Sequence, residues 1–367
     1  MRAFGRPGPL IALCLSAALG LAACVSPPPA AREARPEETR ALLAGIIPQA
    51  VRDRDAWIED IEADFRALRL APTRANLCAV VAVIEQESGF RVDPVVPDLG
   101  ERALREIDAR AERADIPLVL VHTALDLRSA DGRTWRERIL AARTEKDLSD
   151  IFEAFTAQVP LGQRLLARWN PIRTRGPMQV NVAFAERFEQ ERAYPYPLHA
   201  TLEDELFSRR GSLYFGIAHL LAYDAPYPRY LYRFADYNAG QYASRNAAFQ
   251  HAVSVASGTA LTSDGALLPA DGGRGGATEA ALISLAPRLK LDPAQIHAAL
   301  EQGRQGEFER TALYQRVFAL AEQHARASLP RALLPHIELH GPKLSRTLTT
   351  QWYARRVDGR FQRCQRG

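Results

Sequence analysis

The feature that most constrains the fold of this chain is the apolar run from Leu77 to Ile84. The run is apolar on every face, so as a helix it would be buried on all sides. Pro72 and Thr73 mark a suitable start for this helix and Gly89 a suitable stop. Glu87 then lies in the last turn, where the helix dipole and poor solvation both disfavour ionisation. Because a carboxyl group that stays protonated near neutral pH can act as a general acid, this segment indicates a catalytic carboxyl.

The ordinary alternative for Glu87 is a solvated side chain that marks the end of the apolar face. Glu85 is a second acidic residue nearby. At about 100° per residue it points roughly 200° away from Glu87, so we do not expect the two side chains to share one cleft. The choice between a catalytic and a solvated Glu87 therefore depends on residues elsewhere in the chain.

Two later segments supply such residues, and with the first they form an ordered set. The three blocks are Glu87-Ser88-Gly89, Gly176-Pro177-Met178-Gln179 and Tyr237-Asn238-Ala239-Gly240. Each block is only moderately specific, but all three in this order are hard to obtain by chance. Together they resemble the sequence blocks of the lytic transglycosylases with a lysozyme-like fold. The resemblance covers residues 71–253, about half of the chain.

The resemblance implies a role for each matched residue. Glu87 would be the single catalytic acid and base, and Ser88 and Tyr237 would orient its carboxyl group. Substrate contacts fall to the remaining matched residues of the second and third blocks, which are Gly176, Met178, Gln179 and Asn238.

Two features depart from the family pattern. Pro177 stands where the family usually has another residue, and proline removes a backbone donor. The stretch between Phe90 and Arg175 is also longer than in compact members, which indicates an insertion beside the cleft.

The reaction implied is cleavage between N-acetylmuramic acid and N-acetylglucosamine of peptidoglycan with formation of a 1,6-anhydro ring, without a metal or other cofactor. A hydrolytic lysozyme would instead need a second carboxylate to activate water. The candidates for that second group are Asp93, Asp98, Glu101 and Asp236. A third alternative is a non-catalytic scaffold that binds peptidoglycan, although a pure binder does not need the acid.

The N-terminus predicts export and a lipid anchor. Arg2 and Arg6 precede a short apolar segment that ends in Leu21-Ala22-Ala23-Cys24, which resembles a bacterial lipobox. Residues 1–23 would be a signal peptide, Cys24 would carry lipid, and residues 24–40 would be a tether. Val25, rather than Asp, follows the cysteine, which favours the outer membrane of a Gram-negative cell, facing the periplasm.

The remaining cysteines predict a disulfide. Cys14 leaves with the signal peptide and Cys24 carries lipid, so Cys78 and Cys364 remain as a pair in an oxidising compartment. Cys78 lies nine residues before Glu87 and faces roughly away from it on the helix. We favour a bridge between the two cysteines over two unrelated thiols.

The predicted fold is mainly α with a minor β element. It consists of a lysozyme-like core at residues 41–253, a helical insertion at about 91–170, a Gly-rich linker at 254–280 and a C-terminal helical region at 281–367. Within the core, residues spaced by four, four and three predict one buried helix face, formed by Trp57, Ile61, Phe65 and Leu68.

Other parts of the sequence are less decisive. After Pro117, residues 118–121 favour a short buried strand, although proline is also tolerated at a helix start. Residues 135–155 read as one helical stretch. Basic residues do not form a run with interleaved aromatic residues, so nucleic acid is not an expected partner. The oligomeric state stays open.

Overall fold

The computed structural model describes residues 35–158, 170, 172–198, 200–269, 272–339 and 348–367. The predicted signal peptide and lipid-bearing Cys24 lie outside the described residues. Helix α1 begins at Pro36, inside the stretch predicted as a tether, because proline suits a first helical position and two acidic residues follow it in the first turn. Within the described ranges, no helix has the length and apolar character needed to cross a membrane.

The described residues are mainly helical, as predicted. In chain order the longer elements of the first half are α1 (Pro36–Ile46), α2 (Arg54–Ala67), α3 (Arg74–Glu87), α4 (Leu99–Arg113), α5 (Leu118–Leu125), α6 (Trp135–Ala141) and α7 (Glu145–Gln158). After strands β1 (Thr174–Arg175) and β2 (Val180–Asn181) follow α8 (Val182–Glu191), α9 (Leu202–Glu205), α10 (Arg209–Leu221), α11 (Tyr230–Ala239) and α12 (Ala243–Ser257). The last part contains α13 (Ala277–Ser284), α14 (Ala286–Leu289), α15 (Pro293–Glu301), two 3₁₀ turns (Gln302–Arg304 and Gly306–Arg310), α16 (Ala312–Ala325), β3 (Glu338–Leu339), β4 (Leu348–Thr349) and α17 (Thr350–Arg366).

Helix α3 forms as its sequence predicts. The Thr73 hydroxyl accepts a hydrogen bond from the Asn76 amide at 3.1 Å, which caps the first turn. All residues from Leu77 to Ile84 are buried. The amides of Ser88 and Gly89 both donate to the Ile84 carbonyl, and Gly89 takes the left-handed conformation that ends many helices. The buried helix therefore delivers Glu87 to its C-terminal end.

The largest hydrophobic cluster surrounds α3. It combines residues of α1, α2, α3, α8, α10, α11 and α17. The four residues predicted to form one face of α2 and the turn after it are all buried in this cluster, which confirms that prediction: Trp57, Ile61, Phe65 and Leu68. The last helix, α17, packs on both α3 and α11. The C-terminal segment therefore supplies one wall of the cluster that holds Glu87.

Two smaller hydrophobic clusters flank this one. Helices α4, α6 and α7 of the insertion bury Trp135, Ile139 and Leu148 together with Phe207. Helices α12 to α16 form another cluster, after a Gly-rich connection between α12 and α13. The predicted C-terminal region, residues 281–367, is thus divided between its own cluster and the cluster around α3.

Two local predictions within the insertion are wrong. Residues 118–121 belong to helix α5 rather than to a buried strand, and Leu125 is the buried residue of that helix. Pro117 precedes the first turn, a position that proline tolerates, and no described strand pairs with this segment. The stretch 135–155 is broken into α6 and α7, because the Asp147 carboxylate accepts from the amides of Arg143 and Thr144 and caps a new helix.

The minor β element consists of two short antiparallel pairs among the described residues. Strand β1 pairs with β2 through Arg175 and Val180, which encloses the second sequence block in a tight turn. Strand β3 pairs with β4, and α17 begins directly after β4.

Candidate active site

The Glu87 carboxyl group is held by a tyrosine from the last helix. The Tyr353 hydroxyl on α17 donates a hydrogen bond to Glu87 Oε1. Tyr353 is only 6% exposed. Its pKa is raised well above the ordinary tyrosine value, mainly by burial and in addition by the nearby negative charge of Glu87. Glu87 itself is partly exposed. The acid is therefore fixed by a buried neutral donor while remaining accessible from solvent.

The third sequence block also reaches this group. Tyr237 on α11 is buried, and its pKa is raised by burial and then by the charge of Glu87. Its hydroxyl donates to the Met178 carbonyl at 2.7 Å. Tyr237 thus connects the turn of the second block to the neighbourhood of Glu87, and the structure brings residues of all three blocks together.

The second block forms the turn between β1 and β2, packed against α10. Gly176 has φ +71°, and a Cβ atom there would lie 2.0 Å from the Leu206 carbonyl oxygen, so glycine is required. The Met178 amide donates to the Ser212 hydroxyl at 3.0 Å. The Met178 side chain is fully buried and packs against Gly216. Met178 therefore contributes to the site through its carbonyl oxygen, and a sugar contact by its side chain stays a prediction.

Gln179 links the second block to the insertion. Its Nε2 donates to Glu145 Oε2 at 2.9 Å, and its Oε1 accepts from the Thr174 hydroxyl at 2.9 Å. Glu145 is the first residue of α7 and is buried. Glu145 could not be recognised from the sequence as a partner of Gln179, because the two residues are 34 positions apart.

Ser88 and Asn238 both form hydrogen bonds within the protein. Ser88 is buried, and its hydroxyl donates to the Ile84 carbonyl at 3.2 Å, within its own helix end. Its predicted contact with the Glu87 carboxyl stays a prediction. Asn238 is exposed, and its Oδ1 accepts from the Thr350 hydroxyl at 2.7 Å. The first turn of α17 therefore binds both the third block and the acid.

The disulfide explains how α17 reaches Glu87. Cys78 and Cys364 are bonded, with 5.6 Å between their Cα atoms, as the cysteine count predicts. Cys78 lies near the start of α3 and Cys364 near the end of α17, whereas Glu87 and Tyr353 lie at the opposite ends. The two helices therefore run antiparallel, and the bridge is about 13 Å from Glu87 along the axis of α3.

One candidate for a second carboxylate, Asp236, is held inside the protein. Asp236 is fully buried and accepts hydrogen bonds from the hydroxyls of Tyr223 and Tyr227 and from two backbone amides. Burial raises its pKa to about 6. These four donors give Asp236 a structural role, in which it organises the loop after α11.

The other three candidates are exposed residues at or before the start of α4: Asp93, Asp98 and Glu101. Glu85 Oε2 lies 4.0 Å from Arg360 Nε on α17, the helix that also contacts Glu87 through Tyr353. The separation of the Glu85 and Glu87 side chains stays a prediction.

His219 is a core residue. Its ring stacks on Phe184 at 4.4 Å between centroids and lies 5.0 Å from the Tyr237 ring. Burial lowers its pKa to about 4. Within the described ranges, no group of three or more histidine, cysteine or acidic side chains is arranged to hold a metal ion.

Comparison with known proteins gives a family for the chain. Residues 50–366 match the family described as "Protein of unknown function (DUF1615)". The protein called "Uncharacterized protein YaiW" from Escherichia coli (strain K12) is 48% identical over 361 residues, which cover 98% of this chain and 99% of that protein. No solved structure matches. The matched range includes the three blocks, both bridged cysteines and Tyr353, and the chain belongs to the DUF1615 family.

Proposed function

We propose that this protein is a peptidoglycan lytic transglycosylase with a lysozyme-like core and that Glu87 is its single catalytic acid and base. The observation that carries the proposal is the position of the Glu87 carboxyl group. It lies at the end of a buried helix, accepts a hydrogen bond from Tyr353, and is near Tyr237. A carboxyl group with these partners is positioned for proton transfer rather than for surface solvation.

In the proposed reaction the acid acts twice. Protonated Glu87 donates its proton to the glycosidic oxygen while the bond from that oxygen to the anomeric carbon of N-acetylmuramic acid breaks. The acetamido group of the same sugar stabilises the positive charge at the anomeric carbon. Glu87, now ionised, takes the proton of the 6-hydroxyl, and the 6-oxygen bonds to the anomeric carbon. The products are a free N-acetylglucosamine 4-hydroxyl and a 1,6-anhydro ring, and no water is consumed.

Tyr353 and Tyr237 would serve this reaction as positioning residues. Because the Tyr353 hydroxyl donates to Glu87 Oε1, it limits rotation of the carboxyl group and stabilises its ionised form after the first proton transfer. Tyr237 keeps the hairpin beside the acid through the Met178 carbonyl. Gln179 and Asn238 would bind the sugar hydroxyl and amide groups.

The resemblance to the lytic transglycosylases favours a lyase over a hydrolase. Most hydrolytic glycosidases use a second carboxylate opposite the acid. Of the four candidates for such a group, Asp236 is engaged by four donors in the protein interior, whereas Asp93, Asp98 and Glu101 are exposed. An intramolecular 6-hydroxyl nucleophile removes the need for such a group.

The proposed cellular setting follows from the N-terminal sequence. Cys24 would carry the lipid that anchors the protein in the outer membrane, with the enzyme facing peptidoglycan in the periplasm. Several acyl chains on one cysteine are sufficient for stable anchoring, whereas one chain is marginal. The disulfide between Cys78 and Cys364 supports an oxidising compartment.

The test is digestion of purified peptidoglycan sacculi by the mature protein, followed by mass analysis of the released muropeptides. We expect 1,6-anhydro products from the unmodified protein and none from Glu87→Gln. Glu112→Gln is the matched control, because it makes the same chemical change at an exposed position of α4. Reducing-end products, or undiminished release by Glu87→Gln, would contradict the proposal, as would sacculi that are bound but not cut.

A further inference from the structure

The last helix carries a stripe of three arginines on one flank. Arg356, Arg360 and Arg363 are spaced by four and three residues, so they lie on the same side of α17. The pKa of the Arg360 guanidinium is lowered first by burial and then by the positive charges of Arg356 and Arg363. The three groups are therefore close enough to repel one another, and we call them the arginine stripe.

The arginine stripe is only weakly neutralised by its described neighbours. Glu85 approaches Arg360 at 4.0 Å, which is too long for a hydrogen bond, and Arg360 Nε is buried without a partner among the described residues. Asp358, the acidic residue of α17, faces Arg229 instead at 3.6 Å. A guanidinium donor that is shielded from water and left unpaired favours an acceptor from a ligand.

The far end of the stripe opens into a cavity of about 230 Å³ between α1, α3 and α17. Arg360 and Arg363 line this cavity together with Glu85, and its apolar wall is formed by Ile46, Val81 and Ala82. The cavity can therefore accept a group with an anionic part and an aliphatic part.

The near end of the stripe lies at the candidate active site. Arg356 follows Tyr353 by three residues, so it is about one helical turn from the residue that holds Glu87. Its guanidinium carbon lies 5.5 Å from the ring centroid of Trp352, which is partly exposed at the same end. From Arg356 to Arg363 the stripe extends about 10 Å along the helix.

From this placement we infer that the arginine stripe binds the carboxylates of the stem peptide that branches from the glycan strand. The inference rests on the proposed function and names the part of the substrate that the stripe would recognise. The stem peptide is attached to the same N-acetylmuramic acid whose glycosidic bond is cleaved, so it must leave the site beside Glu87. It presents carboxylates and aliphatic side chains along an extended backbone, and guanidinium groups bind carboxylates in a bidentate manner.

The test compares binding to intact sacculi with binding to glycan strands from which an amidase has removed the stem peptides. The protein is the mature Glu87→Gln variant, so that the substrate is not consumed. We expect about tenfold tighter binding to the intact material, and we expect Arg356→Gln with Arg363→Gln to abolish that difference. Arg304→Gln with Arg310→Gln is the matched control, because these exposed arginines lie on the 3₁₀ turns and give the same change in net charge.

The outcomes separate this inference from the proposed function. Equal binding to intact and peptide-free strands would overturn the inference, even if the unmodified protein releases anhydro products. Peptide-dependent binding by the stripe without any cleavage would support the inference and contradict the catalytic proposal. Binding to phosphatidylglycerol vesicles that disappears in the Arg356 and Arg363 variant, with sacculus binding unchanged, would assign the stripe to a lipid surface and overturn the inference.

Discussion

Replacement of Tyr353 by phenylalanine tests the contact on which the candidate site depends. The change removes the hydroxyl that donates to Glu87 Oε1 and keeps the ring that packs between α3 and α11. A hydrogen bond to a charged group contributes about 1.5–3 kcal/mol. Because Glu87 is partly exposed and water can replace part of the contact, we expect the lower half of this range, about 1.5–2 kcal/mol.

This loss corresponds to a decrease in kcat of about 10- to 30-fold, since each 1.4 kcal/mol changes a rate tenfold. The assay is the initial rate of anhydro-muropeptide release at several substrate concentrations. We expect KM to change little, because Tyr353 contacts the acid and not the sugar. Tyr230→Phe is the matched control, because the Tyr230 hydroxyl donates to Asn76 at the end of α3 opposite to Glu87. A normal kcat for Tyr353→Phe, or an equal decrease for Tyr230→Phe, would refute the reasoning.

Two further predictions concern stability. Replacing Cys78 and Cys364 together by serine should lower the free energy of unfolding by about 3–5 kcal/mol, because the bridge closes a long loop. Guanidinium denaturation measures the change, and an unchanged denaturation midpoint would contradict the prediction. The pKa of His219 in the folded protein is about 4, below its ordinary value of 6.5. Because the unfolded chain therefore binds a proton at higher pH than the folded protein, the free energy of unfolding should fall by about 2 kcal/mol from pH 7 to pH 5 through this residue alone. His219→Phe should remove that part of the pH dependence in urea titrations at both pH values, and an identical slope in the variant would show that His219 is not the cause.

The parts of the site that could be predicted from sequence are those that local physics specifies. The apolar run of α3, its Thr73 cap and its Gly89 stop act within a few residues, so the position of Glu87 followed directly. Prediction of the disulfide required only the number of cysteines and the expectation of an oxidising compartment. The turn at Gly176 could be located by its sequence block, although the steric reason for glycine became visible only with α10 packed against it.

The parts that could not be predicted depend on contacts between distant segments. Tyr353 and Glu87 are 266 residues apart, and no pattern near either residue indicates the other. The predicted disulfide was the one available signal, because an antiparallel helix joined at Cys78 reaches the level of Glu87 about nine residues before Cys364, close to Tyr353. The arginine stripe could not be recognised from the sequence, because its three arginines are separated by other residues and do not form a run.

Helix α5 shows a different kind of failure. Its apolar residues fit a buried strand and a helix equally well over so short a length. The segment nevertheless exposes Val119 and Leu120, so its hydrophobicity does not reflect burial in this chain. The sequence contained no information about which partner, if any, would cover that face.

The most direct test of the central claim is the reaction of the mature protein with sacculi in water enriched in ¹⁸O. If the 6-hydroxyl is the nucleophile and Glu87 takes its proton, the released N-acetylmuramic acid ends will be one water lighter than reducing ends. They will then contain no ¹⁸O. Incorporation of ¹⁸O at the anomeric carbon would show that water is the nucleophile and would contradict the account.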